Sequence, residues 1–295
     1  MTKGDKDSAG GSGVDLKLLQ NALDEIKAEL EEAIKSRRFQ KQRYENGQKA
    51  KEALIRSQRL IMKIHEVVKV SLSKELDRER IPHEICPPIG DTSPEVCISG
   101  FLKSKQQDVV VFTGGDKMHE EVIQVGALKG EIDPVGKNTS ERSIVVGIRS
   151  QLSSVAKNFD TLMERAFAET LNLRLRLPKI VMGEVYLLPV VEYDDAKMVK
   201  NVVAWEERSV PVEKFVRIFL SMTGRGEDLE KSIYKYDQSA LILVDFRLSP
   251  PKIYTSLREL KSDGHVGQPC ELDFDRISPA RFAKDMVTTH RIRHG

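Results

Sequence analysis

The chain has 295 residues, of which 40% are hydrophobic, and this content is enough to form a buried core in one large domain. Its formal net charge is only +2, which excludes a uniformly basic DNA-binding chain. No apolar run approaches the ~18–20 residues of a membrane span, and no N-terminal apolar segment indicates secretion.

The three cysteines, Cys86, Cys97 and Cys270, are too few and too widely spaced for a disulfide framework or a zinc site. The histidines show no metal-ligand spacing either. We therefore expect a cytoplasmic protein with reduced thiols and no membrane association.

The N-terminal segment 1–13 is rich in Gly, Ser, Asp and Lys, and it is predicted to be a disordered tail. A helix is predicted next, because apolar residues recur at spacings of three and four and so share one face. These residues are Leu16, Leu19, Leu23, Ile26 and Leu30. Ser12 or Asp15 is expected to cap this helix.

Asn46-Gly47 is expected to break the chain before a second helix, which runs from about Gln48 to Leu76. Residues 14–80 are thus predicted to form an arm of long helices. The pattern is compatible with a dimerisation arm and with the first layer of a core.

A basic stripe lies within this arm. Between Lys35 and Lys63 there are ten Lys or Arg residues and only two acids, Glu45 and Glu52. Such a stripe could neutralise DNA phosphates, or it could be a solvated helix face.

Beyond the arm the pattern changes to short apolar strands. The segment from Pro82 to Pro94 is predicted to be a turn-rich connector. Val96–Ile98 and Val109–Phe112 are predicted to be two hairpin-like strands, and Ser143–Ile148 a third. A long helix is expected from Ser153 to about Leu171.

The remaining elements continue the alternation of strands and helices. They are an apolar run at Ile180–Val191, a helix at Val212–Met222, a strand at Leu241–Phe246 and short helices near 257–260 and 279–286. This order predicts an α/β domain over residues 81–295, with a mixed sheet flanked by helices.

Asp108 stands at the mouth of the strand Val109–Phe112, behind Lys103 and Lys105. A carboxylate in this place must cap free backbone amides, pair with a cation or bind a metal. It is also a natural ligand for Mg²⁺, which takes few protein oxygens and keeps its waters. A turn aspartate paired with one of the two lysines is an equal alternative.

The junction after Ser143–Ile148 carries a cluster of hydrogen-bonding side chains, which begins at Arg149 and includes Gln151. Polar groups between a strand and a helix favour anionic ligands, because free amides and the helix dipole point there. Ser153 or Ser154 is expected to cap the helix.

Acids and bases further along offer weaker candidates. Lys157 and Glu164 fall on one helix face, and they are either site residues or ordinary surface charges. Glu184 is a single acid inside the apolar run Ile180–Val191. It must find a partner such as a metal, or it is the outward residue of a half-buried strand.

With these residues in view, the layout from about Val96 to Phe246 resembles the restriction-endonuclease-like, or PD-(D/E)xK, nuclease fold. In that family a helix is followed by a strand pair, and a metal-binding Asp starts the second strand, where Asp108 stands here. The next strand carries Glu-x-Lys and leads into a helix. In one branch the strand reads Ser-x-Lys and the acid lies on the helix, and Arg149, Lys157 and Glu164 are similar to that branch.

The strand departs from the family pattern because it has no lysine. Extrapolation from Ser143 places Val145 at the lysine position. Arg149, Gln151 and Lys157 are candidates to replace it, and the family's known use of Gln favours Gln151.

The resemblance implies a Mg²⁺-dependent DNA endonuclease of the type II restriction kind, with Asp108 and Glu164 holding the metal and Glu184 as a further ligand candidate. It also implies a homodimer acting on double-stranded DNA and a cognate methyltransferase in the same system. By analogy, the loops after Phe112 and Asp195 would read the bases. The alternative is a catalytically degenerate nuclease-fold protein that acts as a DNA-binding or self-associating module.

Overall fold

The computed structural model describes residues 14–115 and 118–295, so the predicted tail 1–13 lies outside the described residues. The α-helices are α1 (Leu16–Ser36), α2 (Gly47–Arg56), α3 (Arg59–Arg78), α4 (Lys137–Arg142), α5 (Phe159–Arg174), α6 (Asp195–Val199), α7 (Val212–Met222), α8 (Leu257–Ser262) and α9 (Phe282–His294). The strands are β1 (Arg38–Phe39), β2 (Gln42–Arg43), β3 (His83–Cys86), β4 (Val96–Ser99), β5 (Ser104–Gln107), β6 (Val109–Thr113), β7 (Glu121–Val122), β8 (Ile132–Asp133), β9 (Ile144–Ser150), β10 (Val181–Pro189), β11 (Val191–Tyr193), β12 (Trp205–Ser209), β13 (Gln238–Asp245) and β14 (Lys252–Tyr254).

A six-stranded sheet forms the centre of the protein, with the strand order β14-β13-β10-β9-β6-β3. The strands β9, β10 and β13 are parallel to one another, whereas β3, β6 and β14 run antiparallel to their neighbours. Helices flank this sheet, so the prediction of an α/β fold with a mixed sheet is confirmed.

Alternation along the strands sends successive side chains to opposite faces of the sheet. Val109, Ile144 and Val185 point to the face that packs against α1, α3 and α9. Val110, Val145 and Met182 point to the other face, which α5 and α7 cover. The helices of residues 14–80 therefore lie against the sheet as one layer of its core.

The first helices begin largely where the sequence predicts. The carboxylate of Asp15 caps α1 by accepting hydrogen bonds from two backbone amides, and Asn46 caps α2 in the same way. The single helix predicted from Gln48 to Leu76 is wrong, because the chain breaks between α2 and α3. Gln58 adopts a left-handed backbone with φ 62° there, which interrupts the helical hydrogen bonds.

The predicted connector from Pro82 to Pro94 contains a strand that the sequence did not reveal. β3 is an edge strand that pairs with β6, while β4 pairs with β5 in a separate two-stranded sheet. The predicted hairpin of Val96–Ile98 with Val109–Phe112 is therefore wrong. An edge strand tolerates polar residues and flanking prolines, so β3 carries no apolar signature.

The strand-to-helix junction also differs from its prediction. β9 continues to Ser150, and the amide of Gln151 still donates to the carbonyl of Leu187 over 3.0 Å. The helix α5 starts only at Phe159, with Asn158 in the cap position, so neither Ser153 nor Ser154 caps it. Arg149 is consequently a strand residue.

The later elements follow the sequence more closely. α7 has the predicted bounds, and the apolar runs at Ile180–Val191 and Leu241–Phe246 coincide with β10 and β13 to within a few residues. The three cysteines are free thiols. In the described ranges 14–115 and 118–295, no helix has the length and apolar character to cross a membrane.

A buried ion network joins both helical layers to the sheet. Asp237, at the start of β13, accepts from Arg174 of α5 at 2.9 Å and from Arg293 of α9 at 2.6 Å. Its carboxylate also accepts from the amide of Met182 at 2.8 Å.

We predict that Asp237→Ala lowers the free energy of unfolding by about 3–5 kcal/mol, because it leaves two guanidinium groups buried without their carboxylate. Urea denaturation measures the change. Asp228→Ala is the control, since Asp228 is an exposed acid that pairs with the exposed Lys231. Equal stability of the two variants would contradict the prediction.

Candidate active site

Two acids and a glycine form a row across the centre of the sheet. Glu184 of β10 stands opposite Gly147 of β9, and the pairing of Val109 with Val146 places Asp108 beside Gly147 on the other side. A Cβ atom on Gly147 would lie 2.5 Å from Oε2 of Glu184. The absence of a side chain at Gly147 thus leaves the space that the Glu184 carboxylate occupies.

Asp108 lies between β5 and β6, at the strand mouth that the sequence predicts. Its Oδ2 accepts a hydrogen bond from the amide of Ile148 over 2.7 Å. The side chain lines a cavity of about 530 Å³ on one side and another of about 310 Å³ on the other. Lys105, an alternative partner in the sequence, instead pairs with Glu169.

Arg149 connects the row to the helix α5. Its Nη1 donates to Oε1 of Glu184 over 2.8 Å, and its Nη2 contacts the carboxylate of Glu169. Burial disfavours the charge on Arg149, but the two carboxylates outweigh burial and raise its pKa. Burial likewise opposes ionisation of Glu169, yet Arg149 and Lys105 together lower its pKa. This pair is therefore ionised.

Glu184 is the acid whose charge is least compensated. It is only 1% exposed, and its Oε2 is buried without a hydrogen-bond partner. Burial raises its pKa to about 7, Glu169 and Asp108 add to the rise, and Arg149 opposes it. Arg149 and Lys105 are the cations that form ion pairs with Glu169 and Glu184, and neither forms one with Asp108 among the described residues.

The structure does not bring Glu164 and Lys157 to this row. Asn158, Thr161 and Arg165 line the 530 Å³ cavity from α5, and Glu169 lies on the same stripe of the helix. At ~100° per residue, Glu164 lies about 100° away from Arg165, which is in the middle of that stripe. Glu164 is exposed, and so is Lys157 in the turn before α5.

Gln151 does line the same cavity, beside Ser150 and Arg149. Its side-chain amide donates to the carbonyl of Ser153, which holds the turn that follows β9. Of the five residues predicted to be catalytic, the structure gathers Asp108, Arg149 and Gln151 at one cavity.

The sequence did not identify two residues of the candidate site, Glu169 and His65. Glu169 stands on the buried face of α5 with Leu162, Ala166 and Leu173, so an acid in an apolar stripe was the available signal. His65 of α3 is 6% exposed and borders both cavities beside Asp108. Burial lowers the pKa of His65, and the charge of Asp108 opposes that change.

The fit of a metal ion can be judged from the donor atoms. Within residues 14–115 and 118–295, no group of three or more His, Cys, Asp or Glu side chains could hold a metal ion. Mg²⁺, however, is commonly bound by one or two carboxylates together with water and substrate phosphate. The row contains two carboxylates, Asp108, which lines both cavities, and Glu184, which lies across Gly147 and keeps one unpartnered oxygen.

Comparison of the chain with protein-family models, with curated proteins and with solved structures gave no match. A function for this protein therefore has to be inferred from the geometry and the charge of the site.

We predict that Glu184 makes stability fall as pH rises. Its folded-state pKa of about 7 exceeds the ordinary 4.5, so the folded chain holds a proton that the unfolded chain has lost. Relative to Glu184→Gln, the wild type should lose about 3 kcal/mol of unfolding free energy between pH 4.5 and pH 8.

Urea denaturation at a series of pH values measures this difference. Glu164→Gln is the matched control, because it makes the same substitution at an exposed glutamate. A flat difference for Glu184→Gln would show that its carboxyl titrates normally.

Proposed function

We propose that this protein is a Mg²⁺-dependent DNA endonuclease that hydrolyses phosphodiester bonds, in the manner of a sequence-specific type II restriction enzyme. The observation that carries the proposal is the row of Asp108, Gly147 and Glu184, in which a buried carboxylate oxygen has no protein donor. Arg149 supplies a fixed cation beside this row.

The order of elements supports the proposal. The helix α3 precedes the paired strands β3 and β6, Asp108 immediately precedes β6, and β9 leads into α5. This is the order that the resemblance to the PD-(D/E)xK nucleases implies.

The register of β9 indicates which residue stands where the nuclease family has its strand lysine. Gly147 stands beside Asp108, and Arg149 follows two residues later on the same face. We infer that Arg149, rather than a residue at Val145, takes the place of the family's lysine. Glu184 then supplies from the neighbouring strand the acid that Gly147 lacks.

Asp108 and Glu184 would hold the Mg²⁺ ion, and Glu184 replaces Glu164 in this role. When bound, the ion would polarise the scissile phosphate and lower the pKa of a coordinated water. Arg149 would offset the developing charge on the phosphate, since a guanidinium stays protonated. Glu169 and Lys105 position Arg149 through their ion pairs.

The substrate and the assembly follow from the same proposal. Cleavage of both strands of double-stranded DNA needs two sites, and a homodimer with one site per subunit provides them. A cognate methyltransferase would protect the host's own DNA.

One observation favours the alternative of a degenerate nuclease fold that binds DNA or self-associates. Arg149 already bridges Glu184 and Glu169, and this contact partly neutralises the carboxylates without a metal. Incubation of plasmid DNA with and without Mg²⁺ separates the two candidates, because only the nuclease converts supercoiled plasmid to nicked or linear forms.

We predict that Asp108→Asn and Glu184→Gln each lower Mg²⁺-dependent cleavage of long unmethylated DNA by about 100-fold or more, because each removes a carboxylate that would hold the Mg²⁺ ion. Binding of DNA in the absence of Mg²⁺, measured by gel shift, should persist. Glu164→Gln should cleave like the wild type. Full activity of Asp108→Asn would overturn the proposed function.

Arg149 offers a separate test. Arg149→Ala should lower the cleavage rate by about 100-fold, whereas Arg149→Lys should stay within about 10-fold of the wild type because it keeps the cation. Initial rates at saturating Mg²⁺ compare the three proteins, and their thermal stabilities identify any loss that comes from misfolding. Equal losses in both variants at equal stability would exclude Arg149 as the substitute for lysine.

A further inference from the structure

The basic stripe between Lys35 and Lys63 is not uniformly basic in space. Acids on α1 and α2 neutralise most of its helical cations, and Lys51 is buried over the ring of Tyr193. The ion pairs are Lys35–Glu31, Lys49–Glu52, Arg56–Glu52, Arg59–Glu29 and Lys63–Glu29. The stripe as a whole is therefore not a continuous positively charged surface for DNA phosphates.

Four cations of the stripe remain, and all belong to the short hairpin of β1 and β2. These are Arg37, Arg38, Lys41 and Arg43, and none of them forms an ion pair within the part of the chain that the structure describes. Residues 37–43 contain no acid. This hairpin is thus the segment where the stripe keeps its positive charge.

The pairing of the hairpin explains how it presents these cations. Arg38 pairs with Arg43, and Phe39 pairs with Gln42, so alternation sends Arg38 and Arg43 to the face opposite Phe39. Phe39 is half-buried and packs against the helical core. The ribbon is anchored through Phe39, and its arginine face is exposed, with Gln40 and Lys41 exposed at the turn.

The hairpin has the two-stranded form and the kinds of side chain that bind in a DNA groove. A two-stranded β-ribbon enters the major groove of B-DNA, which is about 12 Å wide. Arg and Lys donate to guanine O6 and N7, and Gln pairs with adenine N6 and N7. Gln40 and Lys41 at the turn are therefore side chains that can read base edges.

The hairpin lies beside the candidate active site. A cleft of about 810 Å³ at its base is lined by the hairpin, by Glu29 and Glu32 of α1, by Leu54 of α2 and by Arg59 of α3. Glu29 is paired with Arg59. The neighbouring Ile55 and Gln58 line the cavity that contains Asp108. The α2–α3 junction thus separates the cleft at the hairpin from the cavity that contains Asp108. We infer that one DNA duplex can contact the hairpin and this cavity together.

We propose that the hairpin 37–43 enters the major groove of the DNA duplex, with Arg38 and Arg43 on phosphates and with Gln40 and Lys41 on base edges. This inference rests on the proposed function for the identity of the duplex as substrate. It moves base reading away from the two segments suggested by analogy. Of these, the segment after Asp195 is the helix α6, and the loop after Phe112 includes residues 116–117, which lie outside the described residues.

The test selects bound duplexes from a pool with a randomised segment, in the absence of Mg²⁺, and sequences them. Four proteins are compared: the wild type, Gln40→Ala/Lys41→Ala, Arg38→Ala/Arg43→Ala and the control Lys35→Ala/Lys49→Ala. The control removes two cations of the same stripe that are already paired with acids. All substituted side chains of the hairpin and the control are exposed, so the variants should fold, and circular dichroism verifies this.

We expect the wild type and the control to enrich one sequence pattern. Gln40→Ala/Lys41→Ala should lose about 10-fold or more in preference at one or two positions while it still binds DNA. Arg38→Ala/Arg43→Ala should weaken binding to all sequences and reduce the slope of log affinity against log salt by about one for each lost phosphate contact.

An unchanged pattern for Gln40→Ala/Lys41→Ala overturns the inference and leaves the nuclease proposal standing. A wild type that enriches no pattern overturns it as well. If the wild type enriches a pattern that depends on Gln40 and Lys41 but cleaves no DNA with Mg²⁺, the hairpin assignment holds and the proposed endonuclease activity fails.

Discussion

Glu184 lies in the middle of β10, the strand at the centre of the parallel part of the sheet, with its carboxylate removed from water. A buried carboxylate is tolerated only with compensating partners, and the neighbouring elements supply them. Gly147 leaves room for it on β9, Arg149 donates to it, and Glu169 of α5 holds Arg149. The register of β9 against β10 and the placement of α5 are thus linked through one charge.

The Glu184 carboxylate is also the reason why we propose the cluster as a functional site. Its free oxygen and its raised pKa show that protein donors do not complete its environment. A structural ion pair would bring both oxygens into hydrogen bonds, as Asp237 does with Arg174 and Arg293. Asp108, one strand further along the row and open to two cavities, is where a divalent cation would find its second protein ligand.

The N-terminal segment combines a structural and an exposed surface. Its helices bury apolar faces against the sheet, and acids of α1 pair with cations of α3. A count of charges along the sequence cannot see this neutralisation, because Glu29 and Arg59 are distant in the chain and adjacent in space. The remaining positive charge collects on the hairpin 37–43, which borders the same helical junction as the candidate active site.

Local patterns in the sequence determined the helical and strand character of most segments, the break at Asn46 and the place of Asp108 at a strand mouth, because each depends on neighbours in the chain. They left the cap of α1 open between Ser12 and Asp15. They missed β3, since an edge strand needs no apolar run. They also placed Glu164 beside Asp108 as the main metal ligand, gave Glu184 as a further candidate and did not identify Glu169. Only the tertiary structure decided that choice, because it depends on the register of β9 against β10 and on the rotation of α5, which long-range packing sets.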